Sequence, residues 1–458
     1  MKKKSRYGKD QVISTIRNFP DNGISLIATV AMVLFILAPA LIALIDMEKK
    51  SIDFIMNTYI PLMRDRVFPI ASLIILVLYI LLAMRMKSEG VSLIKVLEHN
   101  PAAVFFAAAV ILMLVSQLFN DIEHTPNYYA FSLGESFGME LSYFIFILFG
   151  ATQVRVESHK QFLIRTQIIA SLIVVAAAFV LWHTQVDSTV FYDWTPRFSS
   201  MFTNTNYYGY YLSVSVPLAG AAFLYEKGLL WKIIAGVAFA ANTVGMSCCN
   251  TTGSWVAGAL SVIFIVVTHL IIEKKVNWQA LALVVVFAVC LFIPAHMLGT
   301  FEENWSTLGR DLGNIVEGNE EAEHAGTDRI KLWNAALDIV DEKPFLGIGF
   351  EGVKYREYVG PPYNIRPHNE FIQYALFHGI PMCVAYVIGC FAIFLRALLK
   401  KQKLSGATLA CLCAAFGYLV GSFFGLTVYS TAVYLFIFLG MGYVREETKG
   451  TQVQEKNA

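Results

Sequence analysis

The feature that most constrains this chain is a series of long apolar runs that contain almost no charged residues. A helix needs about 20 mostly apolar residues to cross the hydrocarbon core of a bilayer. Twelve runs meet this requirement and predict spans at about 24–45, 67–84, 102–119, 136–153, 166–183, 206–225, 232–249, 254–272, 279–297, 371–395, 406–424 and 428–444. The last two could instead form one broken helix, because the uncharged segment 421–430 contains two glycines. The sequence therefore predicts an all-α polytopic membrane protein with about twelve transmembrane helices.

Composition supports this class and excludes several others. Of the 458 residues, 56% are hydrophobic and 15% are charged, whereas a soluble domain carries about 25% charged residues. The formal net charge of +1 argues against a nucleic-acid partner. The seven cysteines lie in or at the ends of apolar runs and form neither a disulfide framework nor a zinc-binding spacing. No Gly-rich segment carries the Lys-Ser/Thr of a nucleotide P-loop, so we expect no nucleotide. Glu123 and His124 have no third ligand at a telling spacing, and we expect neither a metal nor a cofactor.

The distribution of lysine and arginine orients the predicted spans. If residues 1–23 are cytoplasmic, the inside segments hold 23 of these residues, and the outside segments hold 5 once the seven in one long loop are set aside. Long loops count little for orientation, and short cytoplasmic loops are the basic ones. The chain then divides into an N-tail (1–23), spans one to nine (24–298), an extracytoplasmic loop (299–370), spans ten to twelve (371–444) and a C-tail (445–458). Both termini are predicted to be cytoplasmic, and binding or chemistry is expected on the outer side.

The first polar constellation stands at the outer start of span six. Arg197 is the only lysine or arginine between Arg165 and Lys227, and it is followed by Asn204 and Asn206. Asparagine is a favoured N-cap, and the tyrosines that come next are typical of an interfacial aromatic belt. Capping accounts for one asparagine but not for two beside a lone arginine, so this segment is a candidate binding site.

The second constellation lies in the long outer loop. Asp328 is expected to cap a short amphipathic helix that rests on the outer membrane surface or on the bundle. The apolar residues of this helix are spaced to share one face: Ile330, Trp333, Leu337 and Val340. The segment 344-PFLGIGF-350 ends the helix at its proline, and its glycines predict a turn or a close backbone approach. The acidic run 317–324 is expected to be a flexible, solvated loop.

A group of polar residues precedes span ten. Pro367 suits a position just ahead of a helix, so His368 and the two residues after it are expected in the cap or first turn. Spans six and ten both begin on the outer side, where helix N-termini carry a partial positive charge that suits phosphate. Arg366, with Arg197 and Arg329, could add bidentate phosphate contacts on that side. His368 is the candidate base, because nearby arginines lower the pKa of a histidine and keep its imidazole able to accept a proton.

Together these elements resemble the O-antigen ligase and O-antigen polymerase superfamily of bacterial membrane proteins. The resemblance rests on Arg197 followed by F-x-N-x-N, Arg329 with Trp333, the 344-PFLGIGF-350 segment, and 368-HNEFIQ-373 followed by Gly379. Twelve spans and a large outer loop between spans nine and ten also match that family. A Ser-Arg-Gly-like element of the family corresponds here to 250-NTTGSWVAG-258, which lacks the arginine.

The resemblance implies a GT-C-like helical bundle with glycosyltransferase activity. Such proteins transfer a glycan from an undecaprenyl-pyrophosphate carrier to an acceptor hydroxyl on the outer face of the bacterial cytoplasmic membrane. Pyrophosphate is already a good leaving group, and arginines with helix N-termini can stabilise its charge without a metal. The implied catalytic base is His368, the implied pyrophosphate ligands are Arg197, Arg329 and, with less support, Arg366, and the implied pocket residues are Asn204, Asn206, Asn369 and Trp333.

Two alternatives stay open at the level of sequence. A transporter or flippase of lipid-linked sugars would also have twelve spans and a polar outer mouth, but it requires ionisable residues buried within spans. Glu140 and His378 are the main residues of that kind here. Within the enzyme hypothesis, the motifs concern the donor, so the acceptor of a ligase (a lipid core or a protein) is not distinguished from that of a polymerase (another glycan chain).

Overall fold

The computed structural model describes residues 21–49, 62–89, 100–120, 137–184, 198–202, 204–275, 277–318, 324–349, 366–399, 404–428 and 430–444. Within these ranges the regular structure is all helical, as the sequence predicts. We number the α-helices in chain order: α1 (Asp21–Lys49), α2 (Phe68–Glu89), α3 (Pro101–Phe119), α4 (Phe137–Thr152), α5 (Glu157–Thr184), α6 (Thr205–Tyr225), α7 (Leu229–Cys248), α8 (Thr252–Glu273), α9 (Trp278–Met297), α10 (Thr300–Glu317), α11 (Ala325–Glu342), α12 (Glu370–His378), α13 (Ile380–Leu399), α14 (Gly406–Gly421) and α15 (Ala432–Met441).

Nine helices among the described residues are long and apolar enough to cross a membrane: α1, α2, α3, α5, α7, α8, α9, α13 and α14 with the 3-10 turn that follows it. The other three predicted spans coincide with α4, α6 and α15. Of these, α4 and α15 are shorter apolar helices, and α6 has 21 residues. A multi-pass membrane protein is therefore supported, and the count of twelve spans remains a prediction.

The helices sort into central and peripheral positions by their burial. In their most apolar windows α2 and α9 bury only 22% and 28% of their residues, whereas α14 buries 72%. Every residue of α15 from Ala432 to Met441 is buried, and α6 is buried along nearly its whole length. A helix that is apolar and buried on all sides belongs in the core of a bundle. The bundle is therefore built around α6, α14 and α15, and the exposed apolar sides of α2 and α9 suit contact with lipid.

Polar side chains connect the helices inside the bundle. Gln167 on α5 donates to the Tyr211 hydroxyl (3.1 Å) and to Ser215 (3.3 Å) on α6. Asn242 on α7 donates to Ser171 on α5 at 2.9 Å, and both side chains are buried. In an environment without water such bonds satisfy groups that would otherwise be unpaired, so they fix which helix sides face each other.

Two elements differ from the sequence prediction. Span ten was predicted as one helix over 371–395, but the structure divides it into α12 and α13 at Gly379. The outer loop was predicted to hold one amphipathic helix, but it holds two, α10 and α11. The acidic run 317–324 was predicted to be a flexible loop; Glu317 is the last residue of α10, and residues 319–323 lie outside the described part of the chain.

Candidate functional site

The candidate site lies at one end of the bundle, where α6, α8 and α12 begin. Tyr210, in the second turn of α6, lies within electrostatic range of both Arg329 and Glu370. Its hydroxyl donates a hydrogen bond to the Phe424 carbonyl, in the 3-10 turn after α14. The N-terminal parts of α6, α11 and α12 therefore meet here, and we call this end of the bundle, with residues 204–210, 250–254 and 366–370, the site end.

The turn before α12 holds His368 in an unusual backbone conformation. Asn369 is the N-cap of α12, and its Oδ1 accepts hydrogen bonds from the amides of Phe371 (3.0 Å) and Ile372 (3.1 Å). The prediction that residues 368–370 form the cap and first turn is therefore confirmed for Asn369 and Glu370, whereas His368 lies one residue before the cap. His368 has a φ of 49°, in the left-handed region that a non-glycine residue rarely adopts. Such local strain is kept where the surroundings fix it, and it is found often at functional sites.

Two arginines act on the imidazole of His368. Burial, then the charge of Arg329, then that of Arg366, lower the pKa of His368 to about 4. The guanidinium of Arg366 lies over the Phe377 ring at 5.1 Å, and Arg366 is 4% exposed. Arg329 keeps part of its surface exposed. The structure thus brings Arg329, Arg366 and His368 together, with a neutral imidazole beside two positive charges.

Helix α11 carries Arg329 and Trp333 one turn apart. Trp333 is partly exposed, but its indole N–H is buried and has no hydrogen-bond partner among the described residues. A buried donor without a partner costs free energy, and a bound water or ligand commonly supplies the acceptor. The spacing of i and i+4 places Arg329 and Trp333 on neighbouring positions of the helix surface.

The start and the packed side of α11 differ from the prediction. Asp328 is not the cap, because the helix begins three residues earlier at Ala325, and Asp328 instead pairs with His324 (Nδ1 to Oδ1 2.6 Å). Leu337 was predicted on the apolar face that rests on the membrane surface or on the bundle, and its exposure of 44% shows that it does not pack on the bundle. The packed side is made by a separate cluster with α12: Leu332, Ala335, Ala336, Ile339, Val340, Leu376 and Phe377. The two alanines of this cluster, Ala335 and Ala336, let α11 and α12 approach closely. The spacing of apolar residues in the sequence takes no account of side-chain size.

The segment 344–349, which we call the clamp segment, binds the break between α12 and α13. Ile348 N–H donates to the Leu376 carbonyl at 2.9 Å, and Gly349 N–H donates to the Phe377 carbonyl at 3.0 Å. In return, Ile380 N–H donates to the Pro344 carbonyl at 2.7 Å. Carbonyls at the end of a helix need such partners, especially inside a membrane protein. The predicted turn with a close backbone approach is therefore confirmed.

Glycine is required on both sides of this contact. A Cβ on Gly347 would lie 2.5 Å from the Leu376 carbonyl oxygen, and one on Gly379 would lie 2.2 Å from that of Phe345. Both glycines also have a positive φ, 63° and 88°. On the other side, Ser116 of α3 donates to the Leu346 carbonyl at 2.6 Å. The clamp segment is thus fixed between α3 and the helix break.

A buried group of ionisable side chains lies behind the site. The Glu370 carboxylate is 0% exposed and accepts hydrogen bonds from the hydroxyls of Tyr386 and Tyr418, both at 2.9 Å. At the other end of α12, His378 Nε2 lies 2.7 Å from Glu140 Oε2 of α4, and both residues are buried. The sequence identifies Glu140 and His378 as ionisable residues within predicted spans. Because the two residues are 238 positions apart, the sequence does not predict that they pair.

The two asparagines of the predicted motif lie at the site end, where Asn204 caps α6 and Asn206 stands in its first turn. Asn204 is the N-cap of α6 and accepts from the amide of Asn206 at 2.8 Å. Asn204 is exposed and Asn206 is partly buried. The predicted pyrophosphate ligand Arg197 lies outside the described residues.

The element 250–254 packs on the first turns of α6. Thr251 and Ser254 hydroxyls lie 2.6 Å apart, and Asn250 has a φ of 51°. Asn304 of α10 bonds to Asn250 and lies 2.9 Å from the Thr252 hydroxyl, which donates to it. Helix α10 is therefore tied to the site end through polar contacts. Across the described ranges, no group of three or more His, Cys, Asp or Glu is placed to hold a metal ion.

A protein-family model matches part of the chain and includes residues 250–254 and 366–370 of the site end but not residues 204–210. The family model described as O-antigen ligase matches residues 235–387, a third of the chain. This segment runs from α7 into α13 and includes Arg329, Trp333, the clamp segment and residues 366–378. The match confirms the resemblance noted in the sequence. Comparison with curated proteins gives no match.

Proposed function

We propose that this member of the O-antigen ligase and O-antigen polymerase superfamily transfers a glycan from an undecaprenyl-pyrophosphate carrier to an acceptor hydroxyl. The observation that carries the proposal is the grouping of Arg329, Arg366 and His368 within the segment that matches the family. The transfer takes place on the outer face of the bacterial cytoplasmic membrane, the side to which the lysine and arginine distribution assigns residues 299–370.

In the proposed reaction the acceptor oxygen attacks the anomeric carbon of the donor glycan while the bond from that carbon to pyrophosphate breaks. The electron pair of the breaking bond leaves with the pyrophosphate, and the acceptor proton passes to the imidazole of His368. Arg197, Arg329 and Arg366 hold the pyrophosphate, whose negative charge grows as the bond breaks. The arginines supply this stabilisation, so the scheme uses no metal ion.

The low pKa of His368 gives the donor a way to activate the base. With the site empty, burial and then the positive charges of Arg329 and Arg366 hold the imidazole neutral with a pKa of about 4, where it is a weak base. Bound pyrophosphate would neutralise those charges, and the pKa of His368 would then rise, while burial would still hold it below the ordinary value of about 6.5. The base would therefore gain strength only when a donor is present, which limits unproductive proton uptake.

The remaining site residues suit the recognition of phosphate and sugar oxygens. The buried indole N–H of Trp333, with no partner among the described residues, could donate to an oxygen of the donor. Asn369 holds the first turn of α12 in place, and Asn206 lies in the first turn of α6. Both helices direct the positive end of their dipole, about half an elementary charge, toward the site.

The proposal is tested with purified protein in vesicles that contain a lipid-linked glycan donor and an acceptor. His368→Ala is expected to lower kcat by ~10²–10⁴-fold, because a general base is lost. Arg329→Ala is expected to lower it by ~10²–10³-fold through lost charge stabilisation. Arg310→Ala, which removes an exposed arginine of α10, is the matched control and is expected to keep normal transfer. Near-normal transfer by both site variants would contradict the site assignment.

A flippase remains the second candidate, because it requires buried ionisable residues and the chain has them in Glu140, His378 and Glu370. These residues lie at the ends of α4 and α12 beside the site, which favours a role in holding the site. The same vesicles separate the two activities. Release of free undecaprenyl pyrophosphate with a longer glycan supports transfer, whereas a change of leaflet by intact donor supports transport.

The identity of the acceptor decides whether the protein is a ligase or a polymerase. Offering a lipid core, a protein and a repeat-unit glycan chain in parallel reactions would distinguish ligase from polymerase activity. Product formation with only the first or second acceptor identifies a ligase, and formation of long glycan chains identifies a polymerase.

A further inference from the structure

Helix α10, in the outer loop, has three chemically different sides. At about 100° per residue, its apolar positions fall within an arc of about 100°. These positions are Phe301, Trp305, Leu308, Leu312, Ile315 and Val316. A second side carries polar residues that face the protein, and a third side carries Glu302, Glu303, Arg310 and Glu317. Phe301, at the start of α10, packs against the bundle, whereas the rest of the apolar side is not the side by which α10 is attached.

The protein-facing side of α10 is attached by polar contacts. Asn304 bonds to Asn250 and Thr252 at the start of α8. About two turns further along, the Asp311 carboxylate accepts from the Gly326 amide at 2.8 Å, in the first turn of α11. These contacts fix the rotation of α10 about its own axis, so its apolar side has a defined direction.

The apolar side is exposed in the described part of the molecule. Trp305 is 67% exposed, Leu312 53% and Val316 85%. Single exposed apolar residues are ordinary, but a continuous exposed apolar side on a helix marks a contact surface.

This surface continues the lipid-facing side of α9. Ile293 and Met297 at the end of α9 are exposed. The Phe301 ring packs edge-on against Phe292 of α9, with centroids 5.6 Å apart, and Trp305 stacks on Phe301 at 6.2 Å. The apolar surface thus runs without interruption from a membrane-crossing helix onto α10.

We propose that the apolar side of α10 docks on the bilayer, at the interface of the leaflet next to the site end. An amphipathic helix lies in this interface with its apolar side toward the acyl chains and its charged side toward water. Tryptophan favours the same zone, because its ring is apolar and its N–H is polar. The continuity with α9 and the segregation of four charged residues to another side favour lipid over a second protein as the occupant.

Docking would fix the depth of the site relative to the membrane. Helix α10 holds the first turn of α11 through Asp311 and Gly326, three residues before Arg329. Arg329, placed at headgroup depth, is suited to contact the phosphates of a lipid-linked molecule. The docking of α10 does not itself depend on the proposed reaction.

The test measures the surroundings of Trp305 in the full-length protein reconstituted in nanodiscs. The difference in fluorescence between the protein and the Trp305→Phe variant isolates this residue from the other six tryptophans. We expect the Trp305 component to be quenched by phospholipid brominated near the headgroup end of its acyl chains and to be protected from aqueous iodide. A matched control moves the indole by one position to the water side, with Ser306→Trp added to Trp305→Phe. Its added component is expected to show the reverse pattern.

Two outcomes would overturn the proposal. Quenching of Trp305 by iodide but not by brominated lipid would place the surface in water. Quenching by neither would mean that protein covers it, either a second copy or another part of the chain. Glycan transfer is not used as the readout, so this result is independent of the proposed function.

Discussion

At the scale of single residues, backbone strain is concentrated near the candidate site. Five described residues other than glycine have a positive φ, and four of them lie at or next to the motifs of the site end: Ser200, Asn250, Asp328 and His368. Each left-handed residue of this kind costs about 1–3 kcal/mol and persists only where its surroundings hold it. Ser200, for example, donates a hydrogen bond to the Val174 carbonyl at 2.8 Å. These left-handed residues turn the chain sharply and so direct their side chains differently from residues at a regular helix end.

The charge on Arg329 should be visible in the pH dependence of transfer. Because burial and the two arginines lower the pKa of His368 to about 4, kcat/KM of the unmodified protein should fall only as the pH approaches that value. Arg329→Gln removes one positive charge, so the imidazolium is less disfavoured and the pKa of His368 should rise. The acid limb of kcat/KM, measured from pH 4 to 8, should therefore move to higher pH.

The control for this shift is Arg310→Gln on α10, which should leave the limb in place. An unmoved limb in Arg329→Gln would show that His368 is not the group that titrates.

A second consequence of the low pKa of His368 concerns the pH dependence of stability. The unfolded chain binds a proton to this histidine below about pH 6.5, whereas the folded chain does so only near pH 4. Stability that depends on His368 should therefore be lost as the pH falls through this window.

The buried pair of Glu140 and His378 should matter more for stability than an exposed pair of the same type. Removing one partner of a buried pair leaves the other without compensation, at a cost of ~3–5 kcal/mol. Glu140→Ala should therefore lower the free energy of unfolding by this amount in detergent titrations. Glu302→Ala breaks the exposed pair with His296 and should cost less than ~1 kcal/mol.

The double variant Glu140→Leu with His378→Phe separates pairing from packing. It removes both polar groups and fills the space with apolar atoms, so it should recover most of the stability lost in Glu140→Ala. A double variant as unstable as the single one would show that shape, rather than the unpaired group, sets the cost.

At the scale of elements, the short helix α12 is the part that organises the site. Its N-terminal end carries His368, Asn369 and Glu370, and its C-terminal end carries His378. Tyrosines of α13 and α14 hold the first end, and Glu140 of α4 with the clamp segment holds the second. Nine residues are thus fixed at both ends by different elements, so the helix acts as a rigid support for the turn that bears His368.

The glycine at the helix break should tolerate no side chain. Gly379→Ala would place a Cβ 2.2 Å from the Phe345 carbonyl oxygen at a φ of 88°, so we expect a loss of at least ~1–3 kcal/mol in stability. Gly313→Ala, in the open interior of α10, is the matched control and should raise stability by up to ~1 kcal/mol. Equal unfolding midpoints for the two variants would contradict the close approach.

The sequence predicts uninterrupted elements better than interrupted ones. The predicted span 206–225 agrees with α6 to one residue, because an asparagine cap and a charged exit mark its ends. The break at Gly379 was missed, because apolar residues continue through it and its partners, residues 344–349, lie some thirty positions earlier. Trp333 and Arg329 were identified by motif, whereas the Glu370 contacts with Tyr386 and Tyr418 depend on how distant helices pack and leave no local pattern.

At the scale of the whole molecule, the bundle has a buried centre and an apolar outer surface. The central helices α6, α14 and α15 reach the site end, where α6 begins and α14 passes into the turn 422–424. The outer helices α2, α3 and α9 bury only 22%, 28% and 28% of their apolar windows. The site therefore rests on the most buried part of the protein, while the periphery is free to face lipid.

The orientation of the molecule gives a further prediction. The excess of lysine and arginine in the short segments on one side predicts that both termini are cytoplasmic. A fluorescent protein that matures only in the cytoplasm should be bright when fused after Ala458, and an alkaline phosphatase at the same place should be inactive. The opposite pair of results would invert the topology and place the candidate site inside the cell.

The mutual hydrogen bonds of the clamp segment and the helix break have a consequence for the exchange of parts between related proteins. Two stretches that bond through their backbones, with a glycine required in each, depend on each other even though they are separate in sequence. A chimera that takes the outer loop from a relative should therefore carry residues 344–380 as a single block, together with the position of Ser116 that bonds to it. A junction placed between residues 349 and 376 would join halves of the contact from two different proteins, and such a chimera would lose the support under His368 even with every candidate site residue unchanged.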